Sequence, residues 1–152
     1  MYGARMDARE ALTRQVFTAW SSGDADAPEP LFTPDAVPSD VASGRFEGWP
    51  AIRSFFAAGL QRWDDLVLAP DQFWFSDDGV AVHYVMSATV RDPATFGPGV
   101  VGRRWEVDVM SSLQFRGDQV CVEVDHHDRG ARRRSLGLDP WVGAPLRPGA
   151  SA

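Results

Sequence analysis

Five side chains in this sequence have the types and positions to do chemistry: Asp40, His83, Ser111, Asp125 and His127. Carboxylates and imidazoles set against apolar walls exchange protons near neutral pH, because desolvation raises a carboxyl pKa into the range where it can hold or take a proton. Material for such walls is plentiful, with six Trp and nine Phe in 152 residues. Core packing accounts for any single aromatic; a pocket also needs polar groups on its inward face. Four of the five have a structural alternative: Asp40 as an Asx turn near Ser39, His83 as a satisfied core histidine, Ser111 as a hydroxyl bonded within a sheet, Asp125 as a solvated strand-end charge.

Other chemistries are excluded by what is missing. All fifteen basic residues are Arg, and neither Lys nor Asn occurs, which removes Schiff-base lysines, P-loop lysines and N-glycosylation. Gly97 to Gly102 has dinucleotide-loop spacing, but Pro98 occupies its second position and the segment lies between two strands instead of opening a helix. His126 and His127 are neighbours on a strand and point to opposite faces, and the lone Cys121 supports neither a disulfide nor a thiolate zinc site. No metal and no cofactor is expected. A net charge of −6 spread along the chain argues against nucleic acid as a partner. No apolar run reaches membrane length and no apolar leader follows the first residues, so the expectation is no membrane partner and a cytoplasmic protein.

The elements that must position these groups are legible from periodicity. Asp7 to Glu10 reads as a capping box, and Leu12, Val16, Phe17 and Trp20 then mark a first helix over about 7–22, with Gly23 as its C-cap. Pro28 and Pro30 make 24–32 irregular. After an extended stretch around 35–40, Pro50 opens a second helix to about 63, with Ile52, Phe55, Phe56, Leu60 and Trp63 on one face. From residue 66 the period becomes two, predicting strands at 66–75, 80–91, 103–116 and 119–127 with turns at Asp78-Gly79 and Arg116-Gly117-Asp118. In the third of these, Trp105, Val107, Val109, Ser111, Leu113 and Phe115 share a face. The fold class is α+β, a curved antiparallel sheet with helices packed on its concave face to form a conical pocket. A single domain ends near residue 128. The tail 129–152, with many Pro and Gly, reads as a short helix followed by disorder, and its Arg132-Arg133-Arg134 cluster as solvated surface, with a lid or an anionic-carrier contact as the alternative.

This order of elements resembles the nuclear transport factor 2-like superfamily, and within it the SnoaL-like polyketide cyclases with their ketosteroid isomerase and limonene epoxide hydrolase relatives. The resemblance rests on Ala19 to Asp24, Leu31 to Val37, Phe46 to Phe56 and Val120 to Asp128. It implies that Asp40 stands where isomerases carry their general base, and Asp125 where hydrolases and cyclases share a last-strand carboxylate. The isomerase's phenolic donor falls on Val16 and its acidic donor near Ser111. Val85 and Ser87 occupy positions where epoxide hydrolases carry an Arg and an Asp.

Strand parity alone turns Val120, Val122 and Val124 inward and Asp125 outward, whereas the resemblance turns Asp125 inward with Glu123 and His127; a β-bulge would reconcile the two. With Asp125 inward, the valines face outward and imply a homodimer across the outer sheet face. The expected function is cofactor-free acid/base catalysis, cyclisation or isomerisation, on a hydrophobic small molecule. Epoxide opening and non-catalytic binding are the alternatives. Asp125, Asp40 and His83 are the expected catalytic groups, with His83 in a pocket-facing row alongside Val85 and Ser87 by resemblance. Trp20, Phe56, Trp63, Val85, Ser87, Trp105, Val109, Ser111 and His127 are the expected substrate-binding groups.

Overall fold

Helix α1 begins at Tyr2 and runs to Trp20 in the computed structural model, which describes residues 2–41 and 43–141. The capping-box expectation is therefore corrected: Asp7 lies inside the helix, and Glu10 instead pairs with Arg14 one turn on, at 2.7 Å. After α1 the chain passes Gly23, at φ +77°, and a 3-10 turn at Glu29–Leu31 before entering strand β1, Phe32–Asp40. Strand β2 is the short Gly44–Arg45, and helix α2 spans Trp49–Leu60 with Pro50 in its first turn. Trp63, expected at the end of that helix, is instead the first residue of strand β3, Trp63–Phe75.

Strands β4 (Gly79–Val90), β5 (Arg104–Arg116) and β6 (Gln119–His127) complete a six-stranded sheet in the order β2-β1-β6-β5-β4-β3. The class is α+β as expected, and all neighbours are antiparallel except β1 and β6, which run parallel. Gly79 is required where β4 starts, since a Cβ there would stand 2.4 Å from the Leu113 carbonyl oxygen. Between β4 and β5 lie a one-turn helix α3 (Pro93–Phe96) and a 3-10 turn (Pro98–Val100).

The apolar rows on one sheet face meet the helices. Alternation on β5 buries Trp105, Val107, Val109, Ser111 and Leu113 on that face, and on β4 the buried row is Val80, Val82, Tyr84 and Ala88. Val16, Phe17 and Trp20 of α1 and Ile52 and Phe56 of α2 pack into the same core. On β6 the register slips between Gln114–Val122 and Phe115–Val120, leaving Cys121 as an extra residue. This bulge resolves the parity conflict: Val120 is fully buried, while Val122 and Val124 turn to the outer face and Glu123, Asp125 and His127 turn inward.

The chain does not leave the core at residue 128. Asp128 caps helix α4, Arg129–Ser135, accepting from the Gly130 N–H at 2.7 Å. Helix α4 packs on β5, and Leu136 after it is fully buried. The start of the expected tail is thus part of the folded unit; the expectation for 142–152 lies outside the described residues.

Candidate active site

A cavity of about 220 Å³ opens between the helices and the inner sheet face. Trp20, Phe56, Trp63, Trp105 and Val109 line it, as do Asp40, Glu123, Asp125 and His127. Register explains why the polar groups converge. Asp40 on β1 is the neighbour of Asp125 on β6, which is the neighbour of Ser111 on β5, so three strands place one polar residue each in a single row. His127 follows Asp125 by two residues and so shares its face.

Asp125 is held by the Ser111 hydroxyl, whose oxygen also lies 3.2 Å from the Tyr84 phenol. Ser111 has one proton to give, so when it donates to the carboxylate, the Tyr84 phenol supplies the proton of the second bond. Burial holds that phenol protonated well above its ordinary range, and the Asp125 charge adds to the effect. The Asp125 carboxyl is itself pushed up to about 6, chiefly by burial; the Ser111 hydrogen bond opposes the rise and the Asp40 charge adds to it. Glu123, two residues earlier, is pushed well above the carboxylate range by burial and by Asp125, against the pull of a hydrogen bond from the Trp20 indole. One cavity thus carries a carboxyl pushed up to about 6 and a second pushed well above the ordinary carboxylate range.

Asp40 closes a turn and also reaches the cavity. One oxygen accepts the Ser43 N–H at 2.8 Å, closing a turn, and the other meets His127 Nε2 at 2.9 Å inside the cavity. The His127 side chain is only 5% exposed, and its buried Nδ1 has no hydrogen-bond partner among the described residues.

His83, Val85 and Ser87 do not face this cavity, and their expected place in the pocket row is corrected. They occupy the opposite face of β4, where His83 Nδ1 meets Asp71 at 2.6 Å and Nε2 meets Asp108 at 3.2 Å, while Ser87 accepts from Arg104 at 2.6 Å. The cavity row of β4 is Tyr84 and Met86. Its signal was present in the sequence, since Val80, Val82, Tyr84, Met86 and Ala88 are the more apolar of the two alternating sets. Arg132 also lines the cavity, and nothing in the periodicity of the expected tail pointed there. A second, more open groove beside α2 carries the ion pairs Asp26–Arg53 and Asp64–Arg91, both half-exposed.

The chain matches the SnoaL-like domain over residues 13–124 and belongs to that family. Three solved structures share the fold. A protein from Xanthomonas campestris, provisionally a polyketide cyclase, superposes with a TM-score of 0.77 at 16% identity, covering 86% of this chain and 97% of its own. A Catenulispora acidiphila protein with a ketosteroid isomerase-like fold, in complex with trimethylamine, gives 0.74 at 18% identity, covering 85% and 94%. AclR from Streptomyces galilaeus, provisionally a hydroxylase, gives 0.73 at 22% identity, covering 87% and 97%. No curated protein sequence matches the chain. At these identities the likeness carries the fold, and the chemistry must be argued from the cavity. Among the described residues, no helix is long and apolar enough to cross a membrane.

Proposed function

We propose that this chain is a cofactor-free acid/base enzyme that cyclises or isomerises a hydrophobic, polyketide-like small molecule. The observation that carries the reading is the Asp125 carboxyl, titrating near neutral pH in an aromatic cavity and oriented by Ser111 beside the Asp40–His127 pair. As a carboxylate, Asp125 takes a proton from a carbon next to a substrate carbonyl, leaving an enolate. The protonated Glu123 carboxyl is a neutral donor in the same cavity, suited to the charge that develops on the enolate oxygen. For isomerisation, Asp125 returns its proton to a different carbon. For cyclisation, the enolate carbon attacks a second carbonyl of the same molecule, a C–C bond forms, and the resulting alkoxide takes the proton from Asp125. His127 is the second group able to pass a proton, with Asp40 fixing its ring.

Inward-facing carboxylates favour an enzyme over a non-catalytic binder. Epoxide opening gains no support of its own, because the positions that would complete its carboxylate-arginine array, Val85 and Ser87, lie on the far face of β4. The reading is tested with 2-tetralone, a bicyclic ketone with exchangeable α-protons, by following solvent deuterium incorporation by NMR. The protein should accelerate exchange, and Asp125→Asn should lower that rate about 10²-fold or more. Exchange no faster than in buffer would remove proton abstraction from the proposal.

A further inference from the structure

Arg132 has no part in the proton transfers described above, yet it lines the same cavity. Helix α4 holds it in place, fixed at one end by the Asp128 cap and at the other by buried Leu136. Its guanidinium lies over the Trp105 ring, with Cζ 4.2 Å from the ring centroid, and 5.4 Å from that of Trp63. Stacking engages the flat face of a guanidinium and leaves the N–H donors along its edge uncommitted. Among the described residues the Arg132 guanidinium makes no hydrogen bond or ion pair, and its Nε is closed off from solvent.

This contrasts with the exposed arginines. Arg53, Arg91, Arg116 and Arg134 are each paired with an aspartate, whereas the Arg132 guanidinium is paired with none among the described residues. Enclosing an unpaired charge is unfavourable, and such an arrangement is retained where a ligand completes it. The other charges facing Arg132 are Asp40, which attracts it, and Arg62 and Arg129, exposed at the cavity rim, which add positive potential. Burial draws the Arg132 pKa down to about 10, which keeps it cationic at neutral pH. The cavity therefore holds a cation, Arg132, together with the Asp40 and Asp125 carboxyl groups.

We propose that Arg132 sets substrate specificity by binding an anionic oxygen, so that the cavity selects planar hydrophobic acids, carrying a carboxylate or an ionised enol, over their neutral counterparts. The acid end would lie against Arg132, leaving the uncharged, reacting carbons to extend into the rest of the cavity, which Asp125 also lines. The inference rests on the reading that this cavity binds a hydrophobic small molecule, though not on the proton-transfer steps.

The test uses 2-naphthoate and its methyl ester at pH 7.5, titrated by quenching of tryptophan fluorescence. The wild-type protein should bind the acid at least about tenfold more tightly than the ester, the effect of a charge-assisted pair in an enclosed site. Arg132→Gln should bring the ratio to about one, and Arg132→Lys should keep part of it. Melting curves identify any variant in which α4 has come loose, and the Lys variant then decides. If the ester binds as well as the acid, or the preference survives in Arg132→Gln, the role of Arg132 is overturned while the cavity stands. If neither ligand binds, the cavity reading and this inference fall together.

Discussion

Asp40 and Asp125 are register neighbours on β1 and β6, the one parallel pair in the sheet, so two carboxylates stand side by side on one cavity wall. Their proximity, added to burial, lifts Asp125 to about 6, and the Ser111 hydroxyl limits the rise.

That shift makes Asp125 a stability liability at neutral pH. A carboxyl whose folded pKa exceeds its unfolded value of 3.8 contributes its full stabilisation below 3.8 and loses it as pH rises through about 6. At roughly 1.4 kcal/mol per pK unit, the loss at pH 7.5 is at most about 3 kcal/mol. Asp125→Asn should therefore melt at a higher temperature than wild type at pH 7.5 and close to it near pH 4. Thermal melts at the two pH values check this, and a variant less stable at pH 7.5 would contradict the burial argument.

Ser111 and Tyr84 form a hydrogen-bonded chain that positions Asp125. Removing the hydroxyl in Ser111→Ala withdraws the hydrogen bond that favours the ionised form, so the Asp125 pKa should rise further. The acid limb of the pH profile for 2-tetralone exchange should then move to higher pH. Tyr84→Phe, one bond more distant, should move it less. A fall in rate with an unshifted profile would mean a purely structural role.

Asp40 separates the two sides of its own role by substitution. Asp40→Asn retains an acceptor for the Ser43 N–H but weakens the charge opposite His127. Exchange should fall about tenfold or more while the melting temperature changes by only a few degrees. If Asp40 acts only in the turn, exchange will be unchanged.

On the outer face, His83 between Asp71 and Asp108 has its pKa raised, first by the Asp71 hydrogen bond. Stabilisation from a raised histidine is complete below its unfolded value of 6.5 and disappears as pH rises through the folded value. Wild type should therefore lose stability relative to His83→Gln as pH is raised from about 6 into the mildly alkaline range. Parallel melting curves of the two proteins at both ends of that range provide the check.

The same face presents Val122 and Val124 half-buried, with Met110 40% exposed on the adjacent β5 and Trp74 50% exposed on β3 at the sheet edge. We propose that a second copy of the chain covers this surface. Light scattering should give a dimer mass, and Val124→Asp should give a monomer with an intact circular dichroism spectrum.

Period-two alternation by itself determined the inner row of β5, because a half-buried strand writes its burial directly into residue type. The switch from period 3.6 to two fixed the α+β class in the same way. Tertiary structure decided the rest. The facing of Asp125 depended on a single extra residue, Cys121, since a bulge reverses parity without leaving a mark in local composition. Family analogy placed His83 in the cavity row, although alternation along β4 favoured Tyr84 and Met86; the pairing of β4 between β3 and β5 settled the matter. Arg132 was illegible for a different reason. Within an arginine run, charge alone reads as solvated surface, and only the packing of α4 on β5 turns one of those three side chains over Trp105.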